Sequence, residues 1–128
     1  MAEGFGKNIK TSPPRVSQLK RRIEGLIDSE SIMLEIMDVF RETEFIPDVG
    51  KYYTFIYLPK TKGIKYDQFP LIACTDIQRW GFRGLNFHWG EIRNYTWLEV
   101  SGKLHTIKDN EIDYLRSVRY ENFLRNYD

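Results

Sequence analysis

His88 and His105 are the two histidines of the chain, and with Asp67, Asp76 and Cys74 they make up most of what could support proton or nucleophile chemistry. Neither histidine has the paired Cys or His neighbour, at helical or loop spacing, that a metal site requires, so no metal and no cofactor is expected. His88 sits between Phe87 and Trp89 among aromatic residues, which reads as a structural imidazole hydrogen-bonding across a small barrel. To act as a general base it would need a positioned partner, and Asp67 or Asp76 are the candidates. Asp67, two residues before Phe69-Pro70, reads as a turn residue bonding its own backbone, or as the partner of an arginine such as Arg83. The chain has no Gly-rich phosphate loop with a lysine, no nucleophile motif and no acids at metal spacing, and these readings lead to a non-enzymatic protein.

Binding chemistry is better represented. Tyr52, Tyr57, Tyr66, Trp80 and Tyr95 lie close in sequence to Lys51, Lys60, Lys62, Lys65 and Arg79, the mixture of rings and cations used by single-strand nucleic-acid modules. The competing reading makes the alternating rings core. The first 22 residues hold six of the 19 basic residues and one of the 18 acidic ones, so that segment carries +5 and the remainder −4. Lys7, Lys10, Arg15, Lys20, Arg21 and Arg22 therefore form a basic N-terminal arm and helix start, and with Lys60 and Lys62 they are the expected partner-binding residues. Contact of that arm with nucleic acid is the secondary expectation.

The positions of these residues depend on the elements around them. Val49 to Val100 is a block of β-branched and aromatic runs separated by Pro, Gly, Lys and Asp, and it contains all three tryptophans. Such a block predicts a small SH3-like barrel or curved antiparallel sheet of about five strands. Strands are expected over Lys51–Leu58 and Phe69–Thr75, with bends at Gly81, Gly84 and Gly90 and a final hairpin, Tyr95–Val100 and Lys103–Ile107, turned at Ser101-Gly102. Residues 1–12 read as a flexible basic arm and 13–128 as a single domain. Ser12 before Pro13-Pro14 predicts a helix start, with Val16, Leu19, Ile23, Leu26 and Ile27 on one face and a stop at Asp28-Ser29-Glu30-Ser31. Ile32 to Phe40 fits both periods and is taken as a strand pairing with Lys51–Leu58. Asp109 or Asn110 starts a C-terminal helix with the stripe Ile112, Leu115 and Val118, and Tyr120, Phe123 and Leu124 extend or resume it. The fold class is thus α+β, a sheet flanked by N- and C-terminal helices.

At 128 residues, 41% hydrophobic and 15% aromatic, the chain has enough apolar mass for one core. The one cysteine, Cys74, cannot pair internally and fits a buried position in a protein made in a reducing cytoplasm. No run approaches the roughly 20 apolar residues of a membrane span, and the polar start lacks a signal peptide's apolar core.

One resemblance adds to this. It is carried by Tyr52-Tyr53-Thr54-Phe55, Pro59-Lys60-Thr61, Tyr66-Asp67-Gln68-Phe69-Pro70-Leu71, Trp80 through Trp89 (Trp-Gly-Phe-Arg-Gly-Leu-Asn-Phe-His-Trp) and Tyr95-Thr96-Trp97. In these the chain resembles a small family encoded by T4-like tailed phages, above all marine and cyanobacterial myoviruses. The likeness runs on more weakly into the Pro13-Pro14-Arg15 helix and the Asp113-Tyr114-Leu115-Arg116-Ser117 ending. It implies a bacteriophage virion structural protein, made in the host cytoplasm and located in the particle. Its partners would be other virion proteins in a symmetric oligomeric assembly. The resemblance brings no catalytic residues. The alternative is a phage-encoded binding protein for DNA or for a host nucleic-acid enzyme.

Overall fold

A computed structural model of the chain describes residues 12–61, 65–118 and 124–126. Helix α1 spans Pro14–Ile23, with proline at its first position, where the missing N–H would have no intrahelical partner. Val16 and Leu19 are buried, but the helix stops before Leu26 and Ile27, and Ile27 is 94% exposed. Gly25, at φ +86°, turns the chain in the left-handed region. Ser12 does not cap this helix; Pro13 occupies the cap position without a side-chain bond.

The stretch Ile32 to Phe40 is helical, contrary to the strand expected there: α2 spans Ser29–Val39. The deciding residue is Asp28. Its carboxylate accepts from Ser31 N at 2.9 Å and Ser31 Oγ at 2.7 Å, so Asp28-Ser29-Glu30-Ser31 starts a helix instead of ending one. With the helix begun there, Ile32, Met33, Ile36, Val39 and Phe40 fall on one buried stripe, and Leu34 is left outside.

The strands are β1 Thr43–Glu44, β2 Tyr52–Tyr57, β3 Lys65–Asp67, β4 Leu71–Gln78, β5 Gly81–Asn86, β6 Glu91–Thr96, β7 Val100–Ile107 and β8 Leu124–Asn126. Six form an open antiparallel sheet in the order β1-β7-β2-β4-β5-β6, and β3 pairs with β8 apart from it. The strand β2 pairs with β4 and β7, not with the segment before it. The expected hairpin at Ser101-Gly102 does not form, because both residues lie inside β7, which crosses over to pair with β1 and β2. The real turn, 97–99, joins the end of β6 beside Gly81 to the start of β7 beside Tyr57. Trp97 N donates to Trp80 O at 3.2 Å and Leu58 N to Glu99 O at 2.8 Å, tying this turn to both neighbours. Register shifts at Cys74/Asp76 and Thr54/Ile56 are the kind of irregularity at which antiparallel strands bend. After β7 a 3₁₀ turn, Asp109–Glu111, leads into α3, Ile112–Ser117, with Ile112, Leu115 and Val118 buried as expected. Leu124, expected to extend or resume a helix, lies in β8; Tyr120 and Phe123 fall outside the described residues.

The period of two along β2 sorts its side chains between two cores. Tyr52 and Ile56 pack toward the helices, where Leu19, Met33, Ile36 and Phe40 meet Leu71, Ile107 and Leu115. Tyr53, Phe55 and Tyr57 pack with Ile72, Cys74, Phe82, Tyr95 and Leu104 on the opposite face. Tyr95 sits edge-on to Phe55 (5.3 Å, 87°) and to Tyr57 (5.2 Å, 89°), contacts worth about 0.5–1.5 kcal/mol each beyond buried area. Gly81 is required by close approach: a Cβ there would lie 2.0 Å from the Tyr95 carbonyl oxygen.

Candidate functional site

Asp67 ends β3 and His88 sits in the turn between β5 and β6, 21 residues further on, yet their side chains meet with only 3% of each exposed. The imidazole Nδ1 bonds Asp67 Oδ2, while Asp67 Oδ1 accepts from Phe69 N at 3.1 Å. The local turn bond expected of Asp67 is therefore present, and Arg83 pairs instead with Asp76 at 2.7 Å. Asn86 fixes the His88 turn: its Oδ1 accepts from His88 N (2.8 Å) and Trp89 N (3.1 Å), and its Nδ2 donates to the Tyr95 hydroxyl at 3.1 Å. Burial pushes the Tyr95 phenol far above its ordinary value against the opposing effect of the Asn86 bond, and burial likewise pushes Tyr57 up to about 12.

A carboxylate holding an imidazole by Nδ1 is the orienting half of a general-base arrangement. Beside it a cavity of about 370 Å³ is lined by Phe87, His88, Asp113, Arg116 and Ser117. Ser117 Oγ donates to Tyr114 O at 2.6 Å, so its proton is held by the helix backbone and not by a base. Arg116 lies 5.3 Å over the Phe87 ring. The clear consequence of the pair is mechanical: it fastens β3 to the β5–β6 turn through a buried hydrogen-bonded contact. His105 is spent similarly, its Nδ1 donating to Phe40 O at 2.8 Å. Among the described residues no three His, Cys, Asp or Glu side chains gather as a metal site, and no helix is long and apolar enough to cross a membrane.

The residues expected to bind partners separate into three groups. Lys7, Lys10 and Lys62 lie outside the described residues. Arg15, Lys20 and Arg22 have internal partners. Arg15 Nε and Nη2 each lie 2.8 Å from a Glu111 oxygen, and its guanidinium stacks 4.7 Å from the Phe40 ring. Lys20 bonds Ser12 Oγ at 3.0 Å and lies over Tyr114 at 5.2 Å, and Arg22 pairs with Asp38 and, at 3.3 Å, Glu35. Arg21 and Lys60 are exposed, with no side-chain bond to another described residue. Of the rings proposed for a nucleic-acid surface, Tyr57, Tyr66 and Tyr95 are buried and Tyr52 packs half-buried toward the helices. Trp80 remains exposed, with Arg83 over it at 5.7 Å, and Trp89 carries Arg93 at 4.9 Å.

Sequence reasoning missed a cleft at the gap between β1 and the β6–β7 turn, lined by Phe45, Ile46, Phe82, Trp97, Val100 and Leu104, with a volume of about 380 Å³. Phe45 and Ile46 are 74% and 61% exposed, and Leu98 in the adjoining turn is 78% exposed. The available signal was Phe45-Ile46 next to Pro47, two large apolar residues in a turn-rich segment. No family model, no curated protein and no solved structure matches the chain.

Proposed function

We propose that this chain is a non-enzymatic structural protein of a tailed-phage particle. It docks on neighbouring virion subunits through the surface of its curved sheet, with the basic N-terminal arm adding contacts. The observation that carries the docking role is the cluster of large exposed apolar side chains, Phe45, Ile46 and Leu98, around one cleft of the sheet. The phage setting comes from the resemblance of the Gly50 to Glu99 run. The run β7-β2-β4-β5-β6, whose outer strands β6 and β7 are joined by a three-residue link, supports reading the sheet as a small SH3-like barrel. The internal bonds of Arg15, Lys20 and Arg22 leave the arm's share of binding to Lys7, Lys10 and Arg21. Mass spectrometry of gradient-purified, salt-washed particles tests the reading. The protein is expected at fixed stoichiometry, and its presence only in the infected-cell lysate would overturn it.

A second reading has its own observation. The exposed Trp80 and Trp89, each stacked with an arginine, resemble the ring-and-cation platforms of single-strand binders. On that reading the protein binds DNA or a host nucleic-acid enzyme. A gel shift with single-stranded DNA that weakens steeply between two salt concentrations would favour it.

A further inference from the structure

The strand β6 is the last of the six-stranded sheet, paired with β5 on one side and, among the described residues, with no strand on the other. Its register with β5 runs unbroken from Glu91 to Thr96, and it holds no proline and no lysine, so it lacks the devices that commonly blunt an edge. The opposite edge, β1, is only two residues long. Which backbone groups of β6 are left over follows from the bonds at its end. Trp97 N donates to Trp80 O at 3.2 Å, which turns position 97 toward β5. Thr96 instead donates its N–H to Glu99 Oε1 at 3.2 Å and accepts at its C=O from Glu99 N at 3.0 Å, so both groups face away from β5. In an antiparallel pair these directions alternate along the strand. Ile92 and Asn94 therefore share the direction of Thr96, and their N–H and C=O groups point out of the edge.

The side chains along this edge are self-complementary. Glu91 and Arg93 lie on the face that carries buried Tyr95, and Ile92 and Asn94 lie on the other. Ile92 is 59% exposed and stands opposite half-buried Leu85 on β5. The Glu91 side chain is mostly exposed, and the Arg93 guanidinium is held beside the strand, 4.9 Å over the Trp89 ring. Their mutual contact within the strand is long, at 3.4 Å. Several antiparallel registers would bring the outward groups of two β6 strands together, and charge separates them. Pairing centred on Glu91 or on Arg93 sets like charges against each other. Pairing centred on Asn94 sets Arg93 against buried Tyr95 and calls on the Thr96 groups that Glu99 already occupies. Pairing centred on Ile92 puts Ile92 opposite Ile92 and each Glu91 opposite the other strand's Arg93. That last pair is of the non-hydrogen-bonded kind, in which facing residues stand closest.

We propose that β6 pairs with β6 of a second copy of this chain, antiparallel about Ile92, and joins two sheets into one across a two-fold axis. The contact uses a different surface from the docking reading above and stands without it. It gives the outward groups of Ile92 hydrogen-bond partners, covers Ile92 and the adjoining Leu85 with their counterparts, and forms two cross-strand ion pairs. A foreign extended segment meets the same backbone groups, but this chain's own β6 carries the opposite charges at the matching positions. An isologous contact closes on itself, so assembly through it stops at the dimer. With one strand from each copy the interface lies at the small end, below about 1,200 Å², and the dimer is weak.

Sedimentation equilibrium of the full chain, from about 10 to about 500 µM, tests this. The parent is expected to pass from monomer to dimer across that range and to go no further. Glu91→Arg and Arg93→Glu, each alone, set like charges opposite one another and are each expected to weaken the dimer about tenfold or more. Mixed in equal amounts, the same two variants have opposite charges at both facing positions and are expected to form a heterodimer about as tight as the parent. Ile92→Pro removes an outward N–H that β5 does not use, a change an edge strand tolerates, and should leave the chain monomeric. Glu24→Lys, exposed at the end of α1, changes charge in the same sense as Glu91→Arg and should leave association unchanged. An unchanged melting temperature confirms that each variant folds, and Glu91→Arg and Ile92→Pro each test the contact without the others. The proposal is overturned by a parent that stays monomeric at about 500 µM, by association beyond the dimer, by full dimerisation of Glu91→Arg or of Ile92→Pro, or by a mixture that associates no better than its components. None of these outcomes depends on whether the protein is found in purified particles.

Discussion

Truncating Arg15 to alanine isolates the strongest long-range polar contact in the described structure. Arg15 projects from α1 and reaches Glu111, 96 residues away, with two 2.8 Å bonds in fork geometry. The Glu111 side chain is 2% exposed and its other bond is from Lys108 N at 2.8 Å. Removing the guanidinium leaves a carboxylate in the interior with one hydrogen bond, a change that typically costs about 3–5 kcal/mol. Arg15 itself is 18% exposed, so water can enter the vacated space, which places the expected loss near the lower end, about 3 kcal/mol. For a domain of this size that is a fall of roughly 10 °C in melting temperature. Urea unfolding followed by tryptophan fluorescence measures it directly. The double variant Arg15→Met/Glu111→Leu, which removes both charges and keeps the volume, should lie within about 1 kcal/mol of the parent. A single-variant loss below about 1 kcal/mol, or a double variant no better than the single, would refute the reasoning and return Arg15 to the docking residues.

Three further outcomes are expected. Gly81→Ala should cost about 2–4 kcal/mol, because its Cβ would strike the backbone of Tyr95 at 2.0 Å. Gly90→Ala, in open space at φ +73°, should cost only the left-handed strain of about 1–2 kcal/mol, and equal melting temperatures for the two variants would contradict this. Asp67→Ala, which strips Phe69 N and His88 of a buried partner, should cost about 2–3 kcal/mol and speed hydrogen exchange in β3; Asp76→Ala at the exposed Arg83 pair should do measurably less, and the reverse order would be fatal to the assignment. At alkaline pH the unfolded chain releases tyrosine protons near pH 10, while Tyr53 and Tyr57, raised to about 12 by burial, and Tyr95, raised further, hold theirs in the fold. The stability present below pH 10 is therefore lost as pH rises toward 12, by about 1.4 kcal/mol per pH unit per tyrosine. Tyrosinate absorbance should rise together with loss of circular dichroism; ionisation of all eight tyrosines near pH 10 in an intact fold would show that these rings are not buried.

The aromatic block was readable because its rings alternate with period two, so Tyr53, Phe55 and Tyr57 could be assigned to one face without knowing their neighbours. Asp67 and His88 were also legible, since an aspartate before Phe69-Pro70 and a histidine between two rings each have few places to go. Ile32 to Phe40 was not, because its apolar residues satisfy both periods and the choice was made outside the run, by Asp28 bonding Ser31. Ser101-Gly102 failed for another reason. The dipeptide suits a hairpin, but the crossover that inserts β7 between β1 and β2 is a property of the whole sheet and has no local signature. The cations show the limit most clearly. Arg15 and Arg79 look alike in sequence, and what distinguishes them is a glutamate 96 residues from Arg15 that Arg79 lacks.

That distinction bears on how a chain of net charge +1 can still present a charged surface. Net charge counts Arg15 and Glu111, or Arg83 and Asp76, as if each acted on solvent, but pairs joined at 2.8 and 2.7 Å have largely neutralised one another. Subtracting such pairs leaves, among the described residues, cations at Lys20, Arg21, Arg41, Lys60, Lys65, Arg79, Lys103, Lys108 and Arg116, set against carboxylates such as Glu44 and Glu99 that accept only from neutral donors and keep their charge, so both signs reach the surface.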